Sequence, residues 1–545
     1  MKFTFTLVLL SVLHIAFAQK LKKNEKVILA NLRTHVTFLA DDKLEGRRTG
    51  TSGEKLAYEY LISEYEKSGL GPKGENGTYL QKFNVNEGKQ VDGTSHLIIN
   101  GNDLRLNEEY FPLATSPNNS IEAIPVIALQ ESGVPWFYDI KDLLDINKAN
   151  PHYDLLEGIR LKVNEFQAKG ATALFIYNTS ATDDGLKFEG KSKAEPWKIP
   201  VIYFTKKAKE KYLNDDQVGL DVKLVVNIKD KIRYGHNVIS YLDNGAASTI
   251  INGAHYDHLG YGEDKNSLFT GGPSIHNGAD DNASGTAAVL ELAKMLKASS
   301  FKKNNYLFIS FSGEELGLFG SKFFTEHPTI DLSRVNYMIN LDMVGRLNDS
   351  SKSITVGGFG TSPSWGNIVL PKTKTLTIKI DSSGTGPSDH TSFYRKDIPV
   401  LFFFTGTHSD YHKPGDDVEK INFAGELLIM QYIYSLVEKT NSLEKLAFSK
   451  TREQQMGAST RFTVSLGIMP DYSFSGNGVR VDGISEGKLA QKIGLKAGDV
   501  VIELGEYKFS DVTAYMGALS KFKKGDSAKL KVKRGNEDLV FDITF

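Results

Sequence analysis

The sequence predicts an α/β fold in which helices flank a mixed sheet, interrupted by an inserted β-rich domain and followed by a small β-rich module. Three observations predict this arrangement. From His236 to about Leu446, apolar strand-like runs alternate with amphipathic helical patterns. Residues 111–233 instead contain short β-like runs. After a polar stretch, the residues from Phe462 onward contain short strands around one helix-sized segment.

Two helices and a glycine-rich loop precede the insert. A first helical pattern is formed by Val27, Leu29, Leu32, Val36 and Leu39. A second amphipathic pattern covers residues 54–67, and the loop between the two patterns lies at residues 44–51. We therefore expect residues 19–110 and 234–446 to form one domain into which residues 111–233 are inserted. Residues 447–461 are expected to be a linker, and residues 462–545 the last domain.

The expected strands are runs of apolar residues bounded by polar or glycine-rich stretches. In the main sheet they cover residues 249–252, 306–310, 337–341 and 400–404. In the insert they cover residues 123–129, 173–177, 201–204 and 224–228. In the last domain a helix is expected over residues 511–521, followed by strands over 528–533 and 539–545.

The first 18 residues have the layout of a secretory signal peptide. Lys2 precedes a short apolar run, and Ala16-Phe17-Ala18 forms a small-x-small cleavage site. The apolar run is shorter than the ~20 residues of a membrane-spanning helix, which argues against a stable membrane anchor. We expect a secreted or periplasmic protein.

Composition limits the chemistry that this chain can carry out. The 65 basic and 66 acidic residues nearly cancel, so charge predicts no nucleic-acid partner. Hydrophobic residues make up 40% of the 545, close to the average of soluble globular proteins. The sequence contains no cysteine, so any metal ion must be held by His, Asp and Glu side chains.

Residues suited to metal binding follow the expected strands of the main sheet. They are His255, Asp281, Glu314 with Glu315, Asp342 and His412. Open α/β sheets bind ligands at the carboxyl ends of their strands, so these segments can converge on one crevice. Imidazole nitrogen and carboxylate oxygen suit zinc, and a bridging carboxylate can hold two ions together. A single Asp or Glu after a strand is more often a helix cap or a solvated loop residue, so the prediction depends on the set.

Five segments resemble, in the same order, the motifs of the co-catalytic zinc aminopeptidase family that includes the secreted bacterial leucyl-type aminopeptidases. They are GAHYDHLG, GADDNASG, FSGEELGLFGS, INLDMVGR and SDYHKPGDD. The related deacylase and carboxypeptidase family usually has Gly-x-x-Asp-x-Lys in place of the second segment. The resemblance covers residues 20–110 and 236–446, and it implies a zinc exopeptidase fold.

The resemblance implies a role for each matching ligand. His255 and Asp342 would bind one zinc ion, Glu315 and His412 the other, and Asp281 would bridge the two ions. His258, Asp280, Asp389 and His390 lie in the matching segments without an assigned role.

The resemblance also implies catalytic roles. Glu314 would be the general base that takes a proton from a water bridging the two zinc ions and passes it to the leaving amine. Asp257 would fix the His255 imidazole, although a loop-capping aspartate is the alternative. Tyr411 would donate a hydrogen bond to the developing oxyanion, and packing of its ring is an equally good explanation.

The two remaining domains resemble known modules. The insert resembles a protease-associated domain, which is a β-rich lid of secreted peptidases. The last domain resembles a PDZ domain, in which residues 465–468 look like the loop that binds a terminal carboxylate and residues 493–501 match the most regular stretch. Such domains add a peptide to a sheet edge and hold its C-terminus. The alternative is a packing module with an unused groove.

Together these features predict an exported zinc aminopeptidase that removes residues from peptide N-termini. A carboxypeptidase, a dipeptidase or a glutaminyl cyclase on the same metal site is the first alternative. The second is an inactive peptide-binding receptor, which the presence of both Glu314 and the ligand set disfavours. Side-chain preference and oligomeric state have no signal in the sequence.

Overall fold

The computed structural model describes residues 22–148, 150, 153–190, 195–264, 266–451, 464–470, 477–484, 488–509, 512–535 and 537–545. The predicted signal peptide (residues 1–18) and residues 452–461 of the predicted linker lie outside this described part. Within it, no helix combines the length and the apolar character that crossing a membrane requires.

The helices and strands are numbered in chain order. The helices are α1 (Lys23–Leu39), α2 (Ser52–Lys67), α3 (Lys141–Asn147), α4 (Leu155–Ala168), α5 (Lys206–Tyr212), α6 (Gly285–Ala298), α7 (Phe319–Glu326), α8 (Trp365–Ile368), α9 (His390–Tyr394), α10 (Phe423–Thr440), α11 (Leu489–Lys492) and α12 (Val512–Leu519). The strands are β1 (Gly71–Pro72), β2 (Leu80–Val91), β3 (His96–Ile99), β4 (Asn102–Asp103), β5 (Tyr110–Pro112), β6 (Asn119–Ala123), β7 (Trp136–Asp139), β8 (Leu174–Tyr177), β9 (Val201–Phe204), β10 (Val222–Val226), β11 (Ile228–Leu242), β12 (Ser248–His255), β13 (Asn304–Phe311), β14 (Val335–Leu341), β15 (Ser353–Gly357), β16 (Thr377–Ile380), β17 (Val400–Phe404), β18 (Ile468–Pro470), β19 (Val479–Ile484), β20 (Val500–Leu504), β21 (Tyr507–Lys508), β22 (Ser527–Arg534) and β23 (Glu537–Thr544).

The chain divides into two compact units. One consists of Met1–Phe83 together with Tyr234–Phe545, and the other of Asn84–Arg233. The second unit begins before residue 111, the predicted start of the insert. The reason is that β3 and β4, which precede that residue, belong to a sheet with β10 and β6.

The main sheet of the first unit has the strand order β1-β11-β13-β12-β14-β17-β15-β16. Its centre is parallel, because β12 pairs in parallel with β13 and β14, and β14 with β17. Antiparallel pairs of β11 with β13 and of β15 with β17 lie on either side. This topology confirms the predicted mixed sheet.

Helices cover both faces of the main sheet, which explains why β13 and β14 are buried along their whole length. On one face, α1, α6 and α10 contribute Leu32, Leu290 and Ile433 to the largest apolar cluster. On the other face, Phe324 of α7 and Phe393 of α9 belong to a second cluster with residues of β11, β12 and β13. Full burial of one such side chain is worth roughly 1.5–3 kcal/mol, so these two layers hold the central strands in place.

The second unit contains two sheets, with strand orders β4-β3-β10-β6 and β5-β9-β8-β7. An apolar cluster joins them, with Leu97 and Leu224 from the first sheet and Phe175 and Phe204 from the second. The expected strand over residues 123–129 is wrong: β6 ends at Ala123, and the chain then reaches Pro125, which cannot donate a ladder hydrogen bond. The unit also contains α3, α4 and α5, which the sequence did not indicate.

The last domain contains a sheet of strand order β18-β19-β20-β22-β23, with β21 paired to β20. Its own apolar cluster includes Leu466, Val481, Leu504 and Leu530. The described part confirms the expected helix and the closing pair of strands, which are α12, β22 and β23.

Candidate active site

Four of the five predicted ligands lie at or after the carboxyl ends of neighbouring strands, and the fifth, Asp281, lies beside them. His255 is the last residue of β12, and Asp342 directly follows β14. Glu315 and His412 lie in the segments after β13 and β17, and Asp281 lies in the irregular turn before α6. The central strands are parallel, so these ends meet at one edge of the sheet.

The two imidazoles contact opposite oxygens of Asp281. Nε2 of His255 is 3.3 Å from Oδ1 of Asp281 and 3.4 Å from Oδ1 of Asp342. Nε2 of His412 is 3.3 Å from Oδ2 of Asp281 and 3.2 Å from Oε2 of Glu315. Two atoms that each lie about 2.1 Å from one tetrahedral zinc ion are about 3.4 Å apart. These spacings are therefore the ones that two zinc ions sharing Asp281 would need.

Both imidazoles are oriented by backbone carbonyl oxygens. Nδ1 of His255 lies 3.1 Å from the carbonyl oxygen of Asp257, and Nδ1 of His412 lies 2.9 Å from that of Asn266. A hydrogen bond at Nδ1 fixes the tautomer in which Nε2 is the free ligand nitrogen. Both Nε2 atoms accordingly face the carboxylates.

The site concentrates negative charge in a buried place. His255 and Asp281 are 1% and 3% exposed, and Asp342 is 9% exposed. Burial alone would lower the pKa of His255, but the carboxylates of Asp342 and Glu314 raise it well above its usual range. Buried carboxylates require a compensating cation, so the site favours a bound metal ion.

Asp257 contacts both the predicted general base, Glu314, and the predicted ligand His255. Its Oδ1 accepts a hydrogen bond from the backbone N–H of Glu314 at 3.2 Å and lies 3.7 Å from Nδ1 of His255. Its Oδ2 accepts from the Thr49 hydroxyl at 3.1 Å. The nearer contact of the His255 ring is with the Asp257 carbonyl oxygen, so the backbone and the side chain of this residue both support the imidazole.

Glu314 points into the site without belonging to either ligand pair. Its Oε2 lies 3.8 Å from Nε2 of His255. Burial, together with the neighbouring charges of Asp342 and Glu315, raises the pKa of Glu314 well above its usual range. A carboxylate with a raised pKa beside the ligands is suited to accept a proton.

The Tyr411 ring supports His412. The two rings stack, with centroids 3.9 Å apart and an interplanar angle of 22°. Tyr411 also packs against an apolar cluster of Met343, Phe402 and Phe404. This arrangement accounts for the ring, and the predicted hydrogen bond to an oxyanion stays a prediction.

Sequence reasoning missed His258 and Asp416. Nδ1 of His258 lies 2.8 Å from Oε1 of Glu315, and the His258 side chain belongs to a possible metal-binding group with Asp281 and Glu315. Oδ2 of Asp416 accepts hydrogen bonds from the backbone N–H groups of Asp280 and Asp281, each at 3.0 Å. Both residues stand inside recognised segments, three residues after His255 and four after His412, which is the signal that could have found them.

The other unassigned residues of these segments contact the surrounding structure. Oδ1 of Asp280 accepts from the backbone N–H of Gly345 at 2.7 Å. The His390 ring stacks on Phe402 with centroids 4.4 Å apart. Asp389 is fully buried, and burial raises its pKa to about 7.

Comparisons with known proteins show similarity in two parts of the chain. Residues 237–437 match the profile of peptidase family M28, and residues 452–545 match that of the PDZ domain. Aminopeptidase YwaD of Bacillus subtilis is 28% identical over 322 residues, which are 54% of this chain and 63% of that protein. Leupeptin-inactivating enzyme 1 of Streptomyces exfoliatus is 30% identical over 29% of this chain and 37% of its own. An aminopeptidase of Pseudomonas aeruginosa is 28% identical over 45% of each chain. The matches thus span less than two thirds of these relatives.

Solved structures give more distant likenesses. A zinc aminopeptidase from Bacillus subtilis covers 77% of this chain and 98% of its own, with 19% identity and a TM-score of 0.42. A TM-score of this size is too low for an activity to be inferred from the structural likeness. The sequence matches decide the family: the chain contains a domain of peptidase family M28 and, after it, a PDZ domain.

Proposed function

We propose that this chain is an exported aminopeptidase that uses two zinc ions to hydrolyse the first peptide bond of its substrates. The observation that supports this most is the arrangement around Asp281, whose two oxygens face His255 and His412 at equal distances of 3.3 Å. Asp342 and Glu315 complete one ligand group each. The relatives named aminopeptidases support the same class of reaction.

In the proposed hydrolysis, the residues of the site have different roles. Bound zinc would supply Lewis acidity to the scissile carbonyl and to the attacking water. Glu314 accepts the proton of that water and transfers it to the leaving amine, which returns the carboxylate to its starting state. The Asp257 carboxylate accepts a hydrogen bond from the backbone N–H of Glu314, and this contact helps to position the base beside His255.

Charge favours a substrate with a free N-terminus. The carboxylates of Glu314 and Asp342 can offset the charge of an α-ammonium group and would repel a C-terminal carboxylate. Unit charges ~4 Å apart interact by about 4 kcal/mol at an intermediate dielectric. Arg346, four residues after Asp342, is paired with Asp410 at 3.0 Å. Because Asp410 offsets the charge of Arg346, this arginine does not reverse the preference for a free N-terminus.

A peptide panel tests the proposed function. One decapeptide is supplied with a free N-terminus, with an acetylated N-terminus and with an amidated C-terminus, and the products are identified by mass spectrometry. We expect a ladder that shortens from the N-terminus, sharply reduced cleavage of the acetylated peptide and almost unchanged cleavage of the amidated one at saturating concentration. A ladder from the C-terminus indicates a carboxypeptidase, and equal cleavage of the acetylated peptide also refutes the aminopeptidase.

The remaining domains extend this proposal. We propose that residues 1–18 direct export, that the insert is a protease-associated domain, and that the PDZ domain binds the C-terminus of a peptide. In the described part of the PDZ domain, β18 pairs with β19 and ends the strand order, so its other edge suits strand addition. The preceding loop contains Gly467 at φ +78, and a Cβ there would lie 2.2 Å from Cβ of Lys488. This close approach requires glycine in the loop predicted to bind a carboxylate.

A further inference from the structure

Arg47 is a fully buried cation whose side chain the proposed reaction does not use. Its exposed fraction is 0%, and it belongs to the glycine-rich segment at residues 44–51. Its guanidinium donates hydrogen bonds to backbone carbonyl oxygens: Nε to Tyr256 (2.7 Å), Nη1 to Asn277 (2.6 Å) and Leu39, and Nη2 to Gly278 (3.0 Å).

Two of these carbonyl groups belong to the segments that carry metal ligands. Tyr256 stands between His255 and Asp257, and Gly278 stands three residues before Asp281. One planar guanidinium therefore joins the segment that ends β12 to the turn that precedes α6. Because its donors form a rigid fork, it fixes the distance between these segments as a flexible ammonium cannot.

The backbone around Arg47 is shaped to turn this side chain inward. Glu45, Gly46 and Arg47 have φ angles of 47°, 67° and 48°, so three successive residues adopt the left-handed conformation that costs energy for non-glycine residues. A Cβ on Gly46 would lie 2.5 Å from the carbonyl oxygen of His276. The carbonyl oxygen of Gly46 accepts from the N–H of Gly260 at 3.2 Å. The turn therefore packs closely against residues that follow His255 and precede Asp281 in the chain.

The charge of Arg47 also matches its surroundings. Burial lowers the pKa of Arg47 to about 10, while the charges of Asp257, Asp281, Asp416 and Glu315 act in the opposite direction. The side chain thus stays protonated at neutral pH. A buried cation is costly unless its surroundings compensate it, and here the carboxylates of the site do so.

We propose that Arg47 is a positioning residue of the metal centre, which holds the His255 and Asp281 segments at the spacing that two metal ions require. This inference rests on the proposed function, because it presumes that the five ligands bind zinc. If so, Arg47 holds the His255 and Asp281 segments in place before a metal ion binds, and the affinity of the site for metal depends on this arrangement.

The test compares Arg47→Met and Arg47→Lys with Arg48→Met in the full-length protein. Arg48 is the matched control, because its guanidinium pairs with Asp264 at 2.8 Å instead. Zinc affinity is measured by competition with a chromophoric chelator, and the Co²⁺-loaded proteins are compared by visible absorption. Both are measured below the unfolding temperature of each variant.

We expect Arg47→Met to bind zinc about 10–100-fold more weakly, as when other groups that support a ligand are removed. Its Co²⁺ spectrum should shift, and Arg47→Lys should lie between it and the wild type because charge returns without the fork. Arg48→Met should match the wild type.

A folded Arg47→Met variant that keeps wild-type zinc affinity and Co²⁺ spectrum, and differs only in a lower melting temperature, would overturn the proposal. Should that variant not fold, Arg47→Lys decides by the same criterion. Failure of the wild type itself to bind zinc would instead refute the proposed function.

Discussion

Glu314→Gln is expected to retain its metal and lose turnover by about 10²–10⁴-fold, roughly 3–5 kcal/mol of barrier. The amide keeps the shape of the side chain but cannot accept the proton of the attacking water. Metal should remain because Glu314 lies 3.8 Å from His255 and belongs to neither ligand pair. The measurement is kcat on a short peptide with a free N-terminus, together with the zinc content of the same sample.

The adjacent Glu315→Gln is the matched comparison. Oε2 of Glu315 lies 3.2 Å from Nε2 of His412, so we expect this variant to bind metal more weakly. The two changes are chemically identical and one residue apart, so a general loss of stability would affect both. If Glu314→Gln loses zinc while Glu315→Gln keeps it, the roles of base and ligand have been exchanged.

Asp281→Asn is expected to weaken binding of both metal ions together. The carboxylate is the one predicted ligand that contacts both imidazoles, and the amide removes its charge and one of its two oxygens. The loss of affinity should exceed the about 10–100-fold typical of residues that only support a ligand. Zinc titration of the metal-free protein measures it, and activity at limiting zinc should fall in parallel.

Asp331→Asn provides the control for this change. Its carboxylate caps an exposed turn by accepting from the N–H of Ser333 at 2.9 Å, and it precedes β14, whereas Asp342 follows the opposite end of that strand. We expect it to bind zinc as the wild type does. If Asp281→Asn lost one ion and kept the other at full affinity, Asp281 would not be the shared ligand.

The sequence sufficed for the four central strands of the main sheet and for the convergence of the five predicted ligands, because both follow from local pattern. The strands β12, β13, β14 and β17 are buried apolar runs, and the ligands stand close to their ends or to the start of α6. Hydrophobic runs and strand-end polar residues are visible in the chain without any tertiary information. The resemblances to a peptidase family and to the PDZ domain are confirmed over residues 237–437 and 452–545 for the same reason, since both depend on contiguous motifs.

The supporting contacts could not be predicted in this way. Arg47 lies 209 residues before Tyr256 in sequence and binds backbone carbonyl groups, which every residue type possesses. Asp416 likewise binds N–H groups about 135 residues away. Contacts of this kind leave no side-chain pattern at the partner position. The start of the second unit was missed because pairing of β3 with β10 joins residues far apart in the chain.

The metal content of the purified wild-type protein tests the central claim most directly. Five ligands in two groups that share Asp281 should hold close to two zinc ions per chain by elemental analysis. Removal of the zinc with a chelator should abolish peptide hydrolysis, and adding it back should restore the activity. A metal-free protein that hydrolyses peptides at full rate would contradict the account.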